Sequence, residues 1–464
     1  MRYYRLAVGA LVLMAVATRL AVAQGPFVYF AGNPANAWYT VGGSCPPGTL
    51  SLTANYLFFI SGDVTSANLP ARWTALPFEI CAPMTFDSIA YIPGLASGAP
   101  NLRIWITGAQ TSGGVTTPNL DNILYTGDFG AYPGDPPIPG QQEDLIRTYY
   151  GGTTTFTYLR TTPLGQSVTL QPGLYFAIIV GDEDFTSGGP LDSYIALCMG
   201  APGGPKLKNA SNLYYSPRGL GSVNLGGILV PNNWQQFRYN PATFPCERIL
   251  NSDLEFKDDQ GHGPALYQGV LGFRNSQAQG GKVTGTAVTA DVVGDSSPPT
   301  NVEVVFYRPG TKQRVARFSC PAAPGPSFPI DMGNLEVEAG VYDVVVRPIY
   351  SPTIISVNCP TNLCITGVSF SPNTHWLSVR IPNVNVSGVV DLGTVTLPNG
   401  DTNGDRIVDD ADLLSVLFDA SVSATPEAAR SDLNEDGIVD DADLLIVLFN
   451  FGTQGEDGDE TCGS

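Results

Sequence analysis

Histidine is almost absent from this chain, and the residue patterns of several enzyme classes are absent as well. Its 464 residues include two histidines, His262 and His375. We find no H-E-x-x-H motif, no P-loop, no dinucleotide-binding glycine motif and no G-x-S-x-G turn. Asp258 and Asp259 precede His262, but this stretch is typical of a solvated turn. The sequence therefore lacks the motifs of zinc proteases, nucleotide-dependent enzymes and serine hydrolases.

Charged residues are also scarce, and they are unevenly distributed. They make up 14% of the chain, and the net charge is −19. Residues 400–464 contain 17 acidic and 2 basic side chains, so this segment carries −15 and the first 399 residues only −4. No cluster of lysine or arginine occurs, and we therefore expect no nucleic acid partner.

A long apolar run is missing everywhere except at the N-terminus. Two arginines, Arg2 and Arg5, precede an apolar stretch at 6–18, and small residues at 21–23 offer a cleavage site. This order is typical of a signal peptide, and the stretch is too short to span a bilayer. We expect residues 1–23 to be removed, no membrane span, and a mature chain that is secreted or associated with the cell surface.

Sustained helical periodicity is missing from the first 399 residues, whereas turn-forming residues are abundant. The 52 glycines and 38 prolines separate short runs rich in valine, threonine and aromatic residues. This pattern predicts a mainly β protein. We expect residues 24–247 to form a jelly-roll-like β-sandwich, or two smaller sandwiches, and residues 248–399 to form a second, smaller β-sandwich.

The second predicted sandwich contains an alternating strand at 301–307 and a Gly-x-Tyr-x-Val strand at 340–344. This order resembles the small carboxypeptidase-regulatory-like, or transthyretin-like, sandwich, which is Ig-like in architecture. The resemblance implies a spacer domain that precedes a docking module. We interpret Trp376, in a later strand of this segment, as a core residue.

Two near-identical acidic loops, 31 residues apart, follow the predicted sandwiches. They begin at Asp401 and Asp432, and each has side-chain oxygens at positions 1, 3, 5, 9 and 12 and a valine at position 8. A calcium ion takes six to eight oxygen ligands, and alternate side chains with the position-7 carbonyl supply such a set. The repeated spacing predicts two calcium sites, each followed by a helix.

Over residues 400–452 these paired loop-helix repeats resemble the dockerin module. The resemblance implies a small all-α module with two calcium ions, a short middle helix near 425–429, and a protein partner of the cohesin type. It implies ligands in the first loop at Asp401, Asn403, Asp405, the Ile407 carbonyl, Asp409 and Asp412, and in the second at Asp432, Asn434, Asp436, the Ile438 carbonyl, Asp440 and Asp443.

In the dockerin family, positions 10 and 11 of each loop touch the cohesin. These positions hold Asp410-Ala411 and Asp441-Ala442 in this chain, so the resemblance implies that the four residues contact the partner. The near-identity of the two copies fits the pseudo-twofold symmetry of the family, which permits docking in two orientations. Residues 453–464 are predicted to form an acidic tail.

The function of the first predicted sandwich stays open between three alternatives. Trp38 and Trp234 are candidates for an aromatic face that binds carbohydrate, because Trp234 lies among asparagines and glutamines. Dockerins also deliver glycoside hydrolases, which need two carboxylates at the right separation. No pair is selected by spacing among the candidates Asp128, Asp135, Glu143, Asp144, Asp182 and Glu183. We therefore favour a non-catalytic protein, with a hydrolase component and a structural surface or matrix protein as alternatives.

Eight cysteines follow the predicted signal peptide, and their even number favours disulfides in an exported protein. Cys359 and Cys364 are close enough in sequence to close a small loop, and we predict this pair. Two further candidate pairs in the first sandwich are Cys45 with Cys81 and Cys198 with Cys246.

Overall fold

The structure is a computed structural model, and the statements below concern the residues that it describes. These are 25–30, 39–40, 53–54, 58–62, 72–91, 93–97, 101–113, 115–131, 142–150, 153–182, 194–198, 214–217, 222–225, 228–231, 234–236, 256–257, 264–265, 271–289, 301–321, 323, 326–349, 352–357, 365–370, 375–420, 430–456 and 462.

The described part of the chain is mainly β, as predicted, and it contains two short helices. The strands that precede residue 248 are β1 Phe27–Phe30, β2 Tyr39–Thr40, β3 Thr53–Ala54, β4 Phe58–Gly62, β5 Arg72–Ile80, β6 Met84–Tyr91, β7 Pro93–Ser97, β8 Asn101–Ser112, β9 Val115–Ala131, β10 Gln142–Tyr150, β11 Thr153–Leu170, β12 Gly173–Asp182, β13 Tyr194–Cys198, β14 Tyr214–Pro217, β15 Ser222–Leu225, β16 Ile228–Pro231 and β17 Gln235–Gln236. The strands that follow are β18 Phe256–Lys257, β19 Pro264–Ala265, β20 Leu271–Arg274, β21 Gly280–Thr289, β22 Asn301–Tyr307, β23 Arg314–Ser319, β24 Ser327–Asp331, β25 Val337–Glu338, β26 Gly340–Ile349, β27 Pro352–Val357, β28 Ile365–Phe370, β29 Val379–Val386 and β30 Gly388–Leu397.

A nine-stranded sheet is built from the first β region, which we define as the strands before residue 248. Its path runs β17-β14-β5-β12-β4-β13-β7, and β8 joins β12 to β9. β12 lies at the centre, antiparallel to both β5 and β8. Trp105, Phe176, Ile178 and Trp234 pack together in its core. Phe176 and Ile178 share one face because alternate side chains of a strand lie on the same side.

A second sheet, of thirteen strands, contains strands from both predicted sandwiches. Its path runs β10-β11-β6-β20-β1-β23-β22-β26-β29. The N-terminal strand β1 pairs antiparallel with β20 and parallel with β23. Phe27 and Phe30 of β1 stack with their ring centroids 4.4 Å apart, and both rings contact Phe318 of β23. Strands on the two sides of the boundary predicted at residue 247 therefore share one sheet.

Strand β22, at residues 301–307, alternates as predicted, but the expectation of a half-buried strand was wrong, because residues 302–307 are buried on both faces. Val304 and Phe306 belong to the large core of the second β region, which we define as strands β18–β30. Glu303 faces the other side, where it is fully buried and forms ion pairs with Arg317 of β23 and Arg347 of β26. A charged trio thus lies on the opposite face of this sheet from its apolar core.

The helical module, which we define as residues 400–452, contains the helices α1 (Asp410–Asp419) and α2 (Asp441–Asn450). Both helices begin within the predicted loops. The position-8 valines, Val408 and Val439, are fully buried in a shared core with α1 and α2. Leu377 of the second β region belongs to the same core. The module therefore packs directly on the second β region. The predicted middle helix at 425–429 lies outside the described residues.

A disulfide joins Cys81 to Cys462, with the two Cα atoms 5.0 Å apart. The candidate pairing of Cys45 with Cys81 was therefore wrong, because Cys81 is bonded to a cysteine 381 residues later in the chain. Cys320 is buried in the core of the second β region. The predicted pair of Cys359 and Cys364 lies outside the described residues.

Within the described part of the chain, no helix has both the length and the apolar character to cross a bilayer. The predicted signal peptide, residues 1–23, lies outside the described residues.

Candidate metal centre

The two predicted loops have left-handed backbone conformations at the same two positions. In the first loop these are Gly404 at position 4, with φ 79°, and Arg406 at position 6, with φ 71°. In the second they are Glu435 at position 4, with φ 60°, and Gly437 at position 6, with φ 91°. The first loop has its glycine at position 4 and the second has its glycine at position 6. The other of these two positions holds a larger residue in each loop, although a left-handed conformation usually favours glycine. The two loops therefore keep the same backbone turns with different residues.

The first residue of each loop closes that loop by binding its backbone. Asp401 Oδ1 accepts a hydrogen bond from Gly404 N at 2.7 Å, and its Oδ2 accepts one from Arg406 N at 2.8 Å. Asp432 accepts corresponding bonds from the N–H groups of positions 5 and 6, at 3.1 and 2.8 Å. One carboxylate thus holds the turn in each loop.

The side chains at positions 3 and 5 also accept hydrogen bonds from the loop backbone, in each case from the residue two positions later. Asp405 N donates to Asn403 Oδ1 at 2.8 Å, and Ile407 N donates to Asp405 Oδ1 at 2.9 Å. The second loop repeats both bonds, each at 2.9 Å. These are Asx turns, in which a side-chain oxygen binds the backbone two residues later. Alternate side chains of the loop therefore face its own turn.

Positions 9 and 12 join each loop to the helix that follows. Asp409 is the N-cap of α1 and accepts from Ala411 N at 2.8 Å, while Asp409 N donates to Asp412 Oδ2 at 2.8 Å. Asp440 and Asp443 form the same capping box on α2. A capping box satisfies backbone N–H groups that a helix N-terminus leaves unpaired. The predicted ligands of positions 9 and 12 thus also fix the start of each helix.

Burial raises the pKa of the carboxyl groups at positions 1 and 12. It raises the pKa of Asp401 to about 7, and the charge of Asp412 adds to the effect of burial. Burial also raises the pKa of Asp412, Asp432 and Asp443. All four side chains are buried. Negative charge removed from water costs free energy, and a bound cation would offset that cost.

The donor set of each loop fits calcium by chemistry and number. Five side chains and one backbone carbonyl offer oxygen atoms only, within the six to eight that this cation takes. No three His, Cys, Asp or Glu side chains of the described chain form a metal-type cluster. The loop carboxylates accept the backbone hydrogen bonds described above instead. Three hydrogen bonds, from Thr402 N, Thr402 Oγ1 and Asn403 N, already occupy Asp412 Oδ1, so Oδ2, which accepts a single bond from Asp409 N, is the oxygen of Asp412 that keeps a lone pair for a cation.

The start of the first loop is fastened to the second β region. Gly400 N and Asp401 N donate to the carbonyl of His375, at 3.1 and 3.3 Å. Leu377 N donates to Pro398 O at 2.7 Å. His375 is buried, and burial lowers the pKa of its imidazole to about 4. The position of the first loop is therefore set by the β structure before it.

The four predicted partner contacts lie in the first turns of the helices, and all four are exposed. Each helix also exposes three apolar side chains at relative positions 1, 4 and 5, which lie on one face of a helix. The two apolar stripes are Leu414, Leu417 and Phe418 on α1, and Leu445, Leu448 and Phe449 on α2. Phe418 is 80% exposed and Phe449 is 83% exposed.

Two features of the first loop were not predicted from the sequence. Thr402 Oγ1 donates to Asp412 Oδ1 at 2.9 Å, so a residue at position 2 also binds the position-12 carboxylate. Ile407 forms a β-bridge with Gln454, in the segment that the sequence presented only as an acidic tail. The Thr402 hydroxyl, next to the predicted ligand Asp401, was a possible signal for its bond to Asp412. No local sequence pattern indicates the bridge between Ile407 and Gln454.

The structure does not support the aromatic sugar contact predicted for Trp234. Its side chain is 7% exposed and packs with Trp105 and Phe176, so it lacks the open aromatic face that the prediction requires. Trp38 lies outside the described residues. The same is true of the side chains of the six acids considered as hydrolase candidates.

Comparison with known proteins assigns no family to this chain, as no protein family and no curated protein matches it. Two solved structures that it resembles are the N-terminal and C-terminal interface mutants of a type II cohesin–X-dockerin complex from Acetivibrio cellulolyticus. Each match covers 38% of this chain and 99% of the other, at 20% and 21% identity, with TM-scores of 0.26 and 0.25. Likeness at this level carries no argument about function.

Proposed function

We propose that this is an exported, non-catalytic modular protein whose helical module binds two calcium ions and, with calcium bound, docks onto another protein. The observation that supports this most strongly is the agreement between the two loops. They share left-handed positions, Asx turns, capping boxes and buried acids at positions 1 and 12. A common ligand explains why the two loops keep this geometry although their glycines stand at different positions.

Six groups in each loop would hold the ion: the side chains at positions 1, 3, 5, 9 and 12 and the position-7 carbonyl. Calcium would supply the positive charge that buried carboxylates such as Asp401 and Asp412 require. Because Asp412 also caps α1, ligand binding would stabilise the helix together with the loop. Calcium would therefore increase the stability of the folded module.

The docking part of the proposal is supported by the apolar stripes on α1 and α2. Contiguous apolar surface bordered by polar residues often marks a protein–protein contact. The resemblance to dockerins suggests a partner of the cohesin type. Four residues would lie at the border of the contact surface: Asp410, Ala411, Asp441 and Ala442. The signal-peptide pattern at residues 1–23 suggests that this takes place outside the cell or at its surface.

Calorimetry on the mature chain tests the calcium sites. We expect two calcium ions per chain, and loss of both in the double variant Asp401→Ala, Asp432→Ala. The matched control, Asp410→Ala with Asp441→Ala, removes two acids that lie outside the ligand sets and should keep both ions. A native chain that binds no calcium, or a double variant that binds two ions, would contradict the proposal.

Docking is tested with a panel of purified cohesin modules immobilised on sensor surfaces. The mature chain should bind at least one of them in calcium and release it in EGTA. A variant with Phe418→Ser and Phe449→Ser should lose this binding while it keeps both calcium ions. Calcium binding without any cohesin binding would leave the calcium sites standing and remove the partner.

Carbohydrate binding and glycoside hydrolysis stay sequence-based predictions. No specific observation on the described residues favours either one, since Trp234 is buried. A pull-down of the mature chain on insoluble polysaccharides, with sugar release assayed in the same tubes, tests both.

A further inference from the structure

The segment after helix α2 contacts three separate parts of the fold. It leaves the helix at Gly452, runs along the first loop and then along the second β region, and reaches the first β region at Cys462. We call residues 452–456 together with Cys462 the strap. Residues 457–461 lie outside the described residues.

The strap first pairs with the backbone of the first loop. The hydrogen bonds are Gly452 N to Val408 O at 2.8 Å, Val408 N to Thr453 O at 2.9 Å, and Gly455 N to Arg406 O at 2.8 Å. Ile407, whose carbonyl is the proposed position-7 ligand, forms a β-bridge with Gln454. Three consecutive residues of the loop are therefore held by the strap, and one of them carries a proposed calcium ligand.

The strap then contacts the second β region through Glu456. Glu456 N donates to Ser378 Oγ at 2.6 Å, and Arg380 Nη1 pairs with Glu456 Oε1 at 3.0 Å. Arg380 also pairs with Asp343 at 3.0 Å, and Asp343 is buried in β26. The strap is thus connected through one arginine to the interior of the second β region.

The last contact is covalent. Cys462 is joined by the disulfide to Cys81, in the turn between β5 and β6, and Cys462 N donates to Glu79 Oε2 at 3.4 Å. The strap therefore ties the first calcium loop to the first β region, which lies more than 300 residues earlier in the chain.

We infer that the strap couples calcium binding in the first loop to the Cys81–Cys462 bridge. While the bridge is closed, the strap holds residues 406–408 in their binding conformation, so calcium meets a loop that is already ordered. Breaking the bridge frees one end of the strap, and the ordering must then occur when calcium binds. Because such coupling is reciprocal, calcium must in turn protect the bridge. This inference rests on the proposed calcium function of the loops.

Calorimetry on the full mature chain tests the first half of this coupling. The variant Cys81→Ser, Cys462→Ser is compared with the native chain in two backgrounds, Asp432→Ala to report the first loop and Asp401→Ala to report the second. We expect calcium affinity to fall about fivefold to tenfold in the first background and to stay unchanged in the second. Glu456→Gln, which leaves the bridge intact, should give a smaller loss in the same direction. Equal affinities with and without the bridge in the first background would overturn the inference.

Reduction of the native chain tests the reciprocal half and needs no variant. Dithiothreitol supplies two electrons and two protons, converts the bridge to two thiols and closes to its own cyclic disulfide. Thiols formed at Cys81 and Cys462 are alkylated and counted by mass spectrometry. At equilibrium with a mixture of dithiothreitol and its cyclic disulfide, we expect the ratio of reduced to bridged chain to be several-fold lower in calcium than in EGTA, with magnesium as an ionic control. Equal ratios in a chain that binds calcium would sink only the coupling, whereas a chain without calcium binding would sink the proposed function as well.

Discussion

Asp401 and Asp412 are the first and last residues of the first loop, and both carboxyl groups are buried. Burial, followed by the charge of Asp412, raises the pKa of Asp401 to about 7. The two groups keep these positions because the loop N–H groups and the capping box bind them. The loop is therefore arranged at a cost that a cation would offset, which makes its stability sensitive to charge at position 1.

Replacing Asp401 with Asn should have opposite effects with and without calcium. The amide keeps the size of the side chain and removes a buried charge, but its NH2 group cannot accept from Gly404 N or Arg406 N, so one of these hydrogen bonds is lost. Relief of the buried charge outweighs that loss, and α1 should gain about 1 kcal/mol of stability in EGTA. In calcium the same change removes a ligand, and the stability of α1 should fall. Hydrogen exchange of α1 amides in the full chain measures both effects. An effect of the same sign in calcium and in EGTA would contradict this account of the loop.

Gly437→Ala should destabilise the second loop through the backbone alone. Gly437 has φ 91°, and a methyl group added there would meet no atom within 4 Å. The expected cost is about 1–2 kcal/mol, because a left-handed conformation is unfavourable for alanine. Gly437→Asn is the matched control, since asparagine adopts this conformation more readily, and it should cost less. Exchange protection of α2 amides provides the measurement, and equal costs for both variants would point to a cause other than backbone strain.

The loops were predictable from the sequence because their geometry is local. Asp401 accepts from the N–H groups three and five residues later, so the partners are close in sequence and the spacing of the side chains predicts the interaction. The strap was not predictable, because Gln454 and Ile407 meet without any pattern in either segment. The Cys81–Cys462 bridge also joins distant segments, and cysteine spacing contains no information about such pairs. The mainly β class followed from composition, but the pairing of β1 with β20 and β23 depended on tertiary contacts.

Glu303 should make the second β region sensitive to acid. Burial alone would raise its pKa, but the charges of Arg317 and Arg347 outweigh burial and hold the pKa below the ordinary value of 4.5. A lowered pKa means that ionised Glu303 stabilises the fold above about pH 4.5, and that this contribution is lost as the pH falls through the folded pKa. The free energy of unfolding should therefore decrease steeply with acid in that range.

Glu303→Gln should remove this acid sensitivity and cost about 3–5 kcal/mol at pH 7, because two buried arginines lose the negative charge beside them. Denaturant unfolding between pH 3 and 7 measures both the loss and its pH dependence. Asp391→Asn, at an exposed position of β30 where the amide oxygen can still accept from Gly393 N, is the control and should change little. An unchanged slope with pH in Glu303→Gln would show that another group controls acid unfolding.

The apolar stripes should contribute to docking and not to stability. Phe418 is 80% exposed, so Phe418→Ala should change the stability of the module by no more than about 0.5 kcal/mol. Ile446, which is 7% exposed in the core of the module, is the matched truncation, and Ile446→Ala should cost about 2–5 kcal/mol. Hydrogen exchange in calcium measures the two costs, and calorimetry confirms that Phe418→Ala still binds two ions. A large loss of stability in Phe418→Ala would mean that Phe418 packs against another part of the same chain. A docking partner would then no longer be needed to explain the apolar stripe.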